Sequence, residues 1–272
     1  WFRWPSGCQA ALKWHNDGMT PDTARLANLI ADSRRILLVT GAGISTSSGI
    51  PDYRGPQGVW KSQQPVEFRD FIDDETKRIE YWDQKLMSAP LIEAATPGSV
   101  HRSAVALERA GKIEAIVTQN IDGLHTDAGS SRSLVVEVHG TTLEAACLSC
   151  GDRTPIGPHL ASFEATRVPP TCDRCGGLLK PATISFGQSL DQLTMVRAMQ
   201  AADACDFVIA LGSTLSVYPA AEIPLRAAQR GVPYAIVNRG QTEHDRLPSV
   251  TLRVDGEVGE VFSEAVSEAL AR

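Results

Sequence analysis

The sequence lacks any long apolar run and any secretory leader pattern. No stretch approaches the roughly 18 to 20 apolar residues that a helix needs to cross a bilayer. Residues 1–14 also lack the order of charged, apolar and small residues that marks a signal peptide. We therefore expect an intracellular, cytoplasmic protein without a membrane partner.

The sequence also lacks any cluster of five or more Lys or Arg residues, and its formal net charge is −6. Nucleic acids and anionic membranes attract basic surfaces, so we expect no direct nucleic-acid partner. What the sequence does have is length, because 272 residues with 43% hydrophobic side chains can bury a sizeable core. One main domain with an insertion is the expected organisation.

Short apolar runs rich in β-branched residues predict buried strands at 36–40, 115–118, 134–138, 207–211 and 234–237. Helices are predicted to start at Pro21, which follows the capping residue Thr20, and to cover 100–110, 220–230 and 257–271. Strands that alternate with helices indicate an α/β fold, in which a mostly parallel sheet is covered by helices on both faces.

Four of the six cysteines form two Cys-x-x-Cys pairs, Cys147 with Cys150 and Cys172 with Cys175. Two such pairs separated by about 20 residues can place four thiolates tetrahedrally around Zn²⁺. A site filled by four thiolates leaves no position for water, so we expect a structural zinc ion. Two disulfides are the alternative, which an intracellular location disfavours.

Two stretches interrupt the alternation of strands and helices, the cysteine segment and the segment before residue 97. We predict that both are insertions over one end of the sheet. The predicted boundaries are a main α/β domain in three parts, 20–60, 97–143 and 181–272, a helical and loop insertion at 61–96, and a small zinc-binding module at 144–180.

The strand at 36–40 runs directly into Gly41-Ala42-Gly43-Ile44-Ser45. In doubly wound folds, glycines at this join let backbone N–H groups approach a pyrophosphate. A plain tight turn is the alternative, because the dehydrogenase fingerprint needs a third glycine where Thr46 stands. The polar loop that follows, to residue 60, is a candidate lid over a ligand.

A polar cluster follows the strand that ends near residue 117, and it includes Asn120, Asp122 and His125. His139 follows the next predicted strand. The carboxyl ends of parallel strands share one edge of the sheet, where open α/β folds bind ligands. For His139 taken alone, a histidine that only satisfies a structural hydrogen bond is the alternative.

These motifs, with Gly49-Ile50-Pro51-Asp52-Tyr53-Arg54, occur in the order and spacing of the sirtuin family, which the chain resembles from Asp22 to its C-terminus. The resemblance implies a Rossmann-like domain with a small zinc module, NAD⁺ between them, and an acyl-lysine protein or peptide entering from the opposite side of the cleft. It implies an NAD-dependent protein lysine deacylase, acting on acetyl or longer acyl groups, that transfers the acyl group to ADP-ribose and releases nicotinamide.

By position, the resemblance also assigns NAD⁺ contacts in three sets. The first loop supplies Gly41, Ala42, Gly43, Ser45, Asp52, Tyr53, Arg54 and Trp60. The nicotinamide and ribose pocket is assigned to Gln119, Asn120, Ile121 and Asp122. The phosphate and adenosine end is assigned to Gly212, Ser213, Thr214, Asn238, Arg239 and Val258.

The resemblance assigns catalysis to His139 and Asn120. In the implied reaction the acyl oxygen attacks C1′ of the nicotinamide ribose and nicotinamide leaves, while Asn120 orders the ribose or a water. His139 then acts as general base for the ribose hydroxyl that takes over the acyl group. A histidine suits this task because its unperturbed pKa of about 6.5 lies near operating pH.

Sirtuins that prefer succinyl or malonyl lysine carry a Tyr-x-x-Arg pair, whereas Gln84 follows Tyr81 here. A carboxylate on the acyl chain would lack that cation, so the sequence predicts a neutral acyl group.

Three other functions compete with a deacylase. A mono-ADP-ribosyltransferase or NAD hydrolase on the same scaffold is disfavoured by His139, because glycosidic cleavage alone needs no deacylation base. A zinc-ribbon interaction module leaves the Asn120, Asp122 and His139 cluster unexplained. A hydride-transferring dehydrogenase leaves the zinc insertion unexplained.

Overall fold

The computed structural model describes residues 19–53, 55, 58–59 and 64–272. Its helices are α1 (Pro21–Asp32), α2 (Phe68–Asp73), α3 (Glu75–Ala94), α4 (Ser99–Arg109), α5 (Leu124–Asp127), α6 (Ile156–Thr166), α7 (Gln192–Ala204), α8 (Glu222–Gln229) and α9 (Val258–Leu270). Its strands are β1 (Ile36–Thr40), β2 (Ile113–Thr118), β3 (Val135–Glu137), β4 (Gly140–Cys147), β5 (Arg153–Pro155), β6 (Leu179–Thr183), β7 (Phe207–Leu211), β8 (Tyr234–Asn238) and β9 (Leu252–Asp255).

The main sheet has six parallel strands in the order β3-β2-β1-β7-β8-β9. After β1 the chain adds β2 and β3 on one side of β1. It then returns and adds β7, β8 and β9 on the other side. This reversal leaves a crevice at the carboxyl ends of β1 and β7, which is where doubly wound folds bind ligands. The predicted α/β fold is confirmed.

Both faces of the main sheet are buried. Leu38 packs into an apolar cluster with α1, α4 and α9, whereas its neighbours Leu37 and Val39 pack into a second cluster with α7 and α8. Alternate residues of a strand point to opposite faces, so a strand buried on both sides needs an unbroken apolar run. The run at 36–40 meets that need, and all of its residues are buried.

The predicted start of α1 is confirmed by its capping geometry. The Thr20 hydroxyl accepts a hydrogen bond from the Thr23 backbone N–H at 3.2 Å, and Pro21 occupies the first helical position. Pro is tolerated there because that N–H has no partner within the helix. Gly111 and Gly231 follow α4 and α8 with φ of 70° and 80°, the left-handed conformation that ends many helices.

The small domain joins the two insertions through one core. Its sheet is antiparallel, in the order β5-β4-β6. Trp82 of α3 packs against Phe163 of α6, and their apolar cluster includes Cys147 and Cys172. β4 starts at Gly140 and β6 ends at Thr183, while the domain boundaries given by the sequence stay a prediction.

Strand β9 and helix α7 were not predicted. β9 is a short edge strand in which buried Leu252 and Val254 alternate with the more exposed Arg253 and Asp255, a pattern too brief to stand out from a loop.

None of the helices in the described part of the chain is long and apolar enough to cross a membrane.

Candidate active site

A cavity of about 940 Å³ lies at the carboxyl ends of the main-sheet strands. One wall includes the loops after β1, β2, β3, β7, β8 and β9, and the other includes α3, the end of β6 and the loop that follows it. Most of the predicted site residues line it: Gly41, Ala42, Gly43, Asp52, Tyr53, Gln119, Asn120, Ile121, His139, Gly212, Ser213, Thr214, Asn238, Arg239 and Val258.

Four of the predicted NAD⁺ contacts are not among the described residues that line the cavity. Ser45 and Asp122 are buried beside it, with 1% and 6% of their surface exposed. Arg54 and Trp60 lie outside the described residues, so their contacts with NAD⁺ stay predictions.

Ser45, Asn120 and Asp122 form one hydrogen-bonded unit. The Ser45 hydroxyl donates to Oδ2 of Asp122 at 2.8 Å, and Nδ2 of Asn120 donates to the Ser45 Oγ at 3.1 Å. The backbone N–H of Leu124 donates to the other carboxylate oxygen of Asp122 at 3.0 Å. Because both carboxylate oxygens accept bonds, the network holds Asn120 in one orientation at the cavity wall.

The glycines of the first loop allow a close approach between two backbone segments. A Cβ on Gly43 would lie 2.8 Å from the Gly212 Cα, and one on Gly41 would lie 2.7 Å from the Gly212 carbonyl oxygen. The Gly43 N–H donates to that same oxygen at 2.9 Å. The loops after β1 and β7 therefore form one platform in the crevice, and larger side chains at either position would separate them.

His139 is oriented by its neighbour across the sheet edge. Its Nδ1 lies 3.0 Å from the Gln119 carbonyl oxygen. A carbonyl only accepts, so Nδ1 carries the proton and Nε2 is the basic nitrogen of the neutral ring. The Gln119 side chain in turn donates to the Ser213 Oγ at 3.0 Å, which links the loops after β2 and β7.

Two buried histidines, His101 and His125, lie next to this network. The sequence placed His125 in the polar cluster after β2 but assigned no role to either residue. Nε2 of His125 lies 3.0 Å from the Thr40 Oγ1, and the rings of His101 and His125 meet edge to face at 4.9 Å. Burial, with the charge of His101, lowers the pKa of His125 to about 3. Burial also lowers the pKa of His101. In the sequence, His101 lay within a predicted helix and gave no signal of this pairing.

The small-domain wall carries a second polar group around Tyr81, whose partners Thr183 and Ser185 the sequence did not indicate. The Tyr81 hydroxyl lies 2.9 Å from the Thr183 Oγ1 and accepts a bond from the Ser185 hydroxyl at 3.5 Å. Burial raises the pKa of Tyr81, but the charges of Lys85 and Lys180 and these hydrogen bonds outweigh burial and lower it to about 7. Tyr81 lies on α3, whereas Thr183 ends β6 and Ser185 follows it. These side chains meet because α3 packs beside the end of β6.

The four predicted metal ligands converge at the far end of the small domain. The sulfur atoms of Cys147, Cys150, Cys172 and Cys175 all lie within 4.8 Å of one another. The Sγ distances of 3.5 Å from Cys147 to Cys175 and 3.8 Å from Cys150 to Cys172 are far longer than a disulfide bond. Four converging thiols of this kind fit a tetrahedral Zn²⁺ site.

Backbone groups favour the thiolate at one of the four cysteines, Cys147. The N–H groups of Cys150 and Ser149 donate to the Cys147 sulfur, and these bonds lower the pKa of Cys147 to about 6. At Cys175 a backbone bond from Gly177 lowers the pKa, but hydrogen bonds with the Cys147 and Cys150 sulfur atoms outweigh it and raise that pKa to about 12. Metal binding requires the deprotonated thiolate.

Fold and site together define the class of protein. A doubly wound sheet with a cavity at its switch point is a nucleotide-binding α/β architecture. The inserted small domain adds a closed metal site whose four thiols leave no open coordination position, so reaction chemistry must lie in the cavity.

Comparisons with known proteins give the family. The model of the Sir2 family matches residues 41–219. An NAD-dependent protein deacetylase of Rhodopseudomonas palustris is 40% identical over 242 residues, covering 89% of this chain and 95% of that protein. A solved Sir2 enzyme with a p53 peptide and NAD⁺ has a TM-score of 0.79 at 34% identity, covering 91% of this chain and 98% of that one.

A further Sir2 structure contains a deacetylated p53 peptide and 3′-O-acetyl ADP ribose. It has a TM-score of 0.80 at 34% identity and covers 90% of this chain and 97% of that one. The chain belongs to the Sir2 family, the sirtuins, as its motifs indicated. NAD is the co-substrate of this family, and the converging cysteines fit its structural zinc.

Proposed function

We propose that this sirtuin removes acyl groups, acetyl among them, from lysine side chains of proteins and transfers them to the ADP-ribose part of NAD⁺. One observation carries the proposal: His139, oriented through Nδ1, shares a single cavity with Asn120 and the glycine platform. The relatives named as deacetylases and the solved Sir2 enzyme with an acetyl ADP ribose product support it.

Different residues along the cavity suit different parts of NAD⁺. The platform of Gly41, Gly43 and Gly212 carries no side chains and would let a diphosphate lie against the backbone. Asn120, held by Ser45 and Asp122, suits the nicotinamide and ribose end. NAD⁺, when bound, supplies both the nicotinamide leaving group and the ribose hydroxyl that receives the acyl group.

His139 is suited to remove the proton from that hydroxyl. The carbonyl of Gln119 keeps the Nδ1 proton in place and makes Nε2 the basic atom. A positioned general base of this kind contributes about 10²-fold to 10⁴-fold to a rate. The hydrogen bond from Nδ1 to the Gln119 carbonyl also orients the imidazole ring, because it prevents the ring from turning away from the cavity.

The proposal is tested by incubating the purified protein with an acetyl-lysine peptide, with and without NAD⁺, and following all products by mass spectrometry. Deacetylated peptide, nicotinamide and O-acetyl-ADP-ribose should form in equal amounts and only with NAD⁺. If nicotinamide forms while the peptide stays acetylated, the protein is an ADP-ribosyltransferase or NAD hydrolase and the role of His139 is withdrawn.

Cell fractionation would test the predicted cytoplasmic location.

A further inference from the structure

The loop after β8, residues 239–245, borders the end of the cavity that is predicted to hold the adenosine of NAD⁺. Asn238, the last residue of β8, and Arg239, the first residue of the loop, both line the cavity. The side-chain nitrogen of Asn238 donates to the backbone carbonyl oxygens of Arg239 and Gly240, each at 3.2 Å. Because this nitrogen is used within the loop, the side-chain oxygen is the group that Asn238 offers to a ribose hydroxyl.

Arg253 of β9 holds the start of this loop from outside the cavity. Its Nη1 donates to the Asn238 carbonyl oxygen at 3.0 Å and to the Val254 carbonyl oxygen, and its Nη2 donates to the Gly240 carbonyl oxygen. Arg253 is not among the described residues that line the cavity, and 20% of its side chain is exposed. The guanidinium therefore fixes the backbone on both sides of Arg239 without facing the ligand.

Asp245 in turn fixes the guanidinium. Nε of Arg253 donates to Oδ1 of Asp245 at 2.7 Å. The Thr242 N–H donates to Oδ2 of Asp245 at 3.0 Å, and the Thr242 hydroxyl donates to Oδ1 at 2.6 Å. Burial raises the pKa of Asp245, but the hydrogen bonds from Thr242 and Arg253 outweigh burial and lower it. One charged carboxylate therefore closes the turn of the loop and orients Arg253.

Other bonds hold the loop at positions 240 and 243. The Gly240 N–H donates to Oδ1 of Asp255 at 2.9 Å, and the same oxygen lies 3.8 Å from Nη2 of Arg253. The Glu243 N–H donates to the Thr214 carbonyl oxygen at 3.0 Å, which ties the loop to the cavity-lining loop after β7. Of these groups, Arg253 is the one that holds position 238.

This set of partners needs the shape of a guanidinium. A guanidinium is a planar fork with donors on three nitrogens. Here the fork reaches a carboxylate through Nε and the carbonyls of Asn238 and Gly240 through its two other nitrogens. A lysine ammonium carries the same charge at one point and cannot span these acceptors. Substitution can therefore separate the effect of charge from the effect of geometry.

We infer that Arg253 is a positioning residue for NAD⁺, which holds Asn238 and Arg239 in the orientation that receives the adenosine ribose. The inference rests on the NAD⁺ site of the proposed function. A supporting side chain whose own position is locked preorganises the residues that touch the ligand, and preorganisation strengthens binding. Arg253 should therefore affect the binding of NAD⁺ and leave the chemical step unchanged.

The test measures the Kd of ADP-ribose by calorimetry, together with kcat and the KM values of NAD⁺ and of an acetyl-lysine peptide. The variants are Arg253→Gln and Arg253→Lys, and thermal melts verify their folding. Arg226→Gln is the matched control. Arg226 also pairs with an aspartate, Asp203, at 2.7 and 2.8 Å, but it lies on α8 and does not line the cavity.

Arg253→Gln should raise the Kd of ADP-ribose and the KM of NAD⁺ by about fivefold to tenfold, the effect of one hydrogen bond. At saturating NAD⁺, kcat, the KM of the peptide and the inhibition constant of nicotinamide should keep their wild-type values. Arg253→Lys should behave like Arg253→Gln, and Arg226→Gln should behave like the wild type. A residue that only stabilised the fold would change the thermal melt and leave the Kd of ADP-ribose unchanged.

Two results would overturn the inference. One is an unchanged Kd of ADP-ribose in Arg253→Gln. The other is wild-type affinity in Arg253→Lys, because charge without the fork would then be sufficient. If Arg253→Gln does not fold, Asp245→Asn replaces it, since this variant removes the charge that orients Arg253 with little change of shape. It should raise the same Kd, and an unchanged value would overturn the inference as well.

The same measurements distinguish this inference from the proposed function. A wild type that binds ADP-ribose but leaves the peptide acetylated would remove the deacylase function, while the series of Kd values would still decide the role of Arg253. A wild type that deacetylates the peptide, with equal Kd values in all variants, would remove only the role of Arg253. A wild type that does not bind ADP-ribose would contradict both.

Discussion

The two walls of the cavity are built in different ways. The main-sheet wall is held by short-range backbone contacts, such as Gly43 against Gly212, and by the buried Ser45, Asn120 and Asp122 network. The small-domain wall consists of side chains from α3 and β6, such as Tyr81 and Thr183, whose position depends on a separate core. A rigid wall suits chemistry common to a family, whereas a wall of side chains can vary with the substrate.

The strongest test of this contrast is His139→Ala on the main-sheet wall. Removing the base should lower kcat for deacetylation by about 10²-fold to 10⁴-fold, with an unchanged thermal melt. His159→Ala is the control, since His159 lies on α6 outside the cavity and bonds to Thr154. Normal turnover in the His139 variant would remove the proposed base.

Loss of metal should affect the small-domain wall as a whole. Cys172→Ser removes one of four converging ligands, so bound zinc should be lost and the small domain should unfold. Zinc content and the thermal melt measure this. Cys205→Ser, which changes a buried thiol of the main domain, should retain zinc. An unchanged melt after verified zinc loss from the Cys172 variant would contradict a structural site.

Asp122 tests the nicotinamide end of the main-sheet wall. Asp122→Asn should weaken inhibition by nicotinamide by about tenfold, because the variant loses a charged acceptor that orients Ser45 and the pocket. The measurement is the nicotinamide inhibition constant at fixed NAD⁺. Glu222→Gln alters an exposed carboxyl of α8 that does not line the cavity and should leave the constant unchanged. Equal constants for wild type and the Asp122 variant would place nicotinamide elsewhere.

The pH dependence of stability tests the buried histidine pair. The pKa of His125 is about 3 in the folded protein and about 6.5 when unfolded, so the unfolded chain binds a proton that the native state excludes. Stability is therefore fully present above pH 6.5 and falls as pH decreases toward 3.

This site should contribute about 2 kcal/mol to the loss of unfolding free energy between pH 7 and pH 5. Urea unfolding of His125→Gln should show a correspondingly smaller loss, while His159→Gln should behave as the wild type. Equal losses in wild type and the His125 variant would mean that His125 is not neutral in the folded protein.

Much of the main-sheet wall could be predicted because its residues directly follow recognisable strands in the chain. The strand at 36–40 leads directly to Gly41 and Gly43, and the strand ending near residue 118 leads directly to Asn120. The strand positions were recognisable since buried parallel strands require continuous apolar runs. The short edge strand β9 lacked such a run and was missed.

The small-domain wall was less predictable from the sequence. The four cysteines were found because their spacing is local, but the partners of Tyr81 were not. The Tyr81 hydroxyl meets Thr183 102 positions later in the chain, and nothing in either segment indicates the other.

The sequence by itself determined the family, the strand-to-loop joins and the metal ligands, because each depends on residue types at short and regular spacing. Only the tertiary structure decided which side chains share a hydrogen bond or a cavity wall. Ser45 reaches Asp122 because β1 pairs with β2, and Tyr81 reaches Thr183 because α3 packs on the small domain. Such contacts follow from strand order and helix packing, which no local pattern encodes.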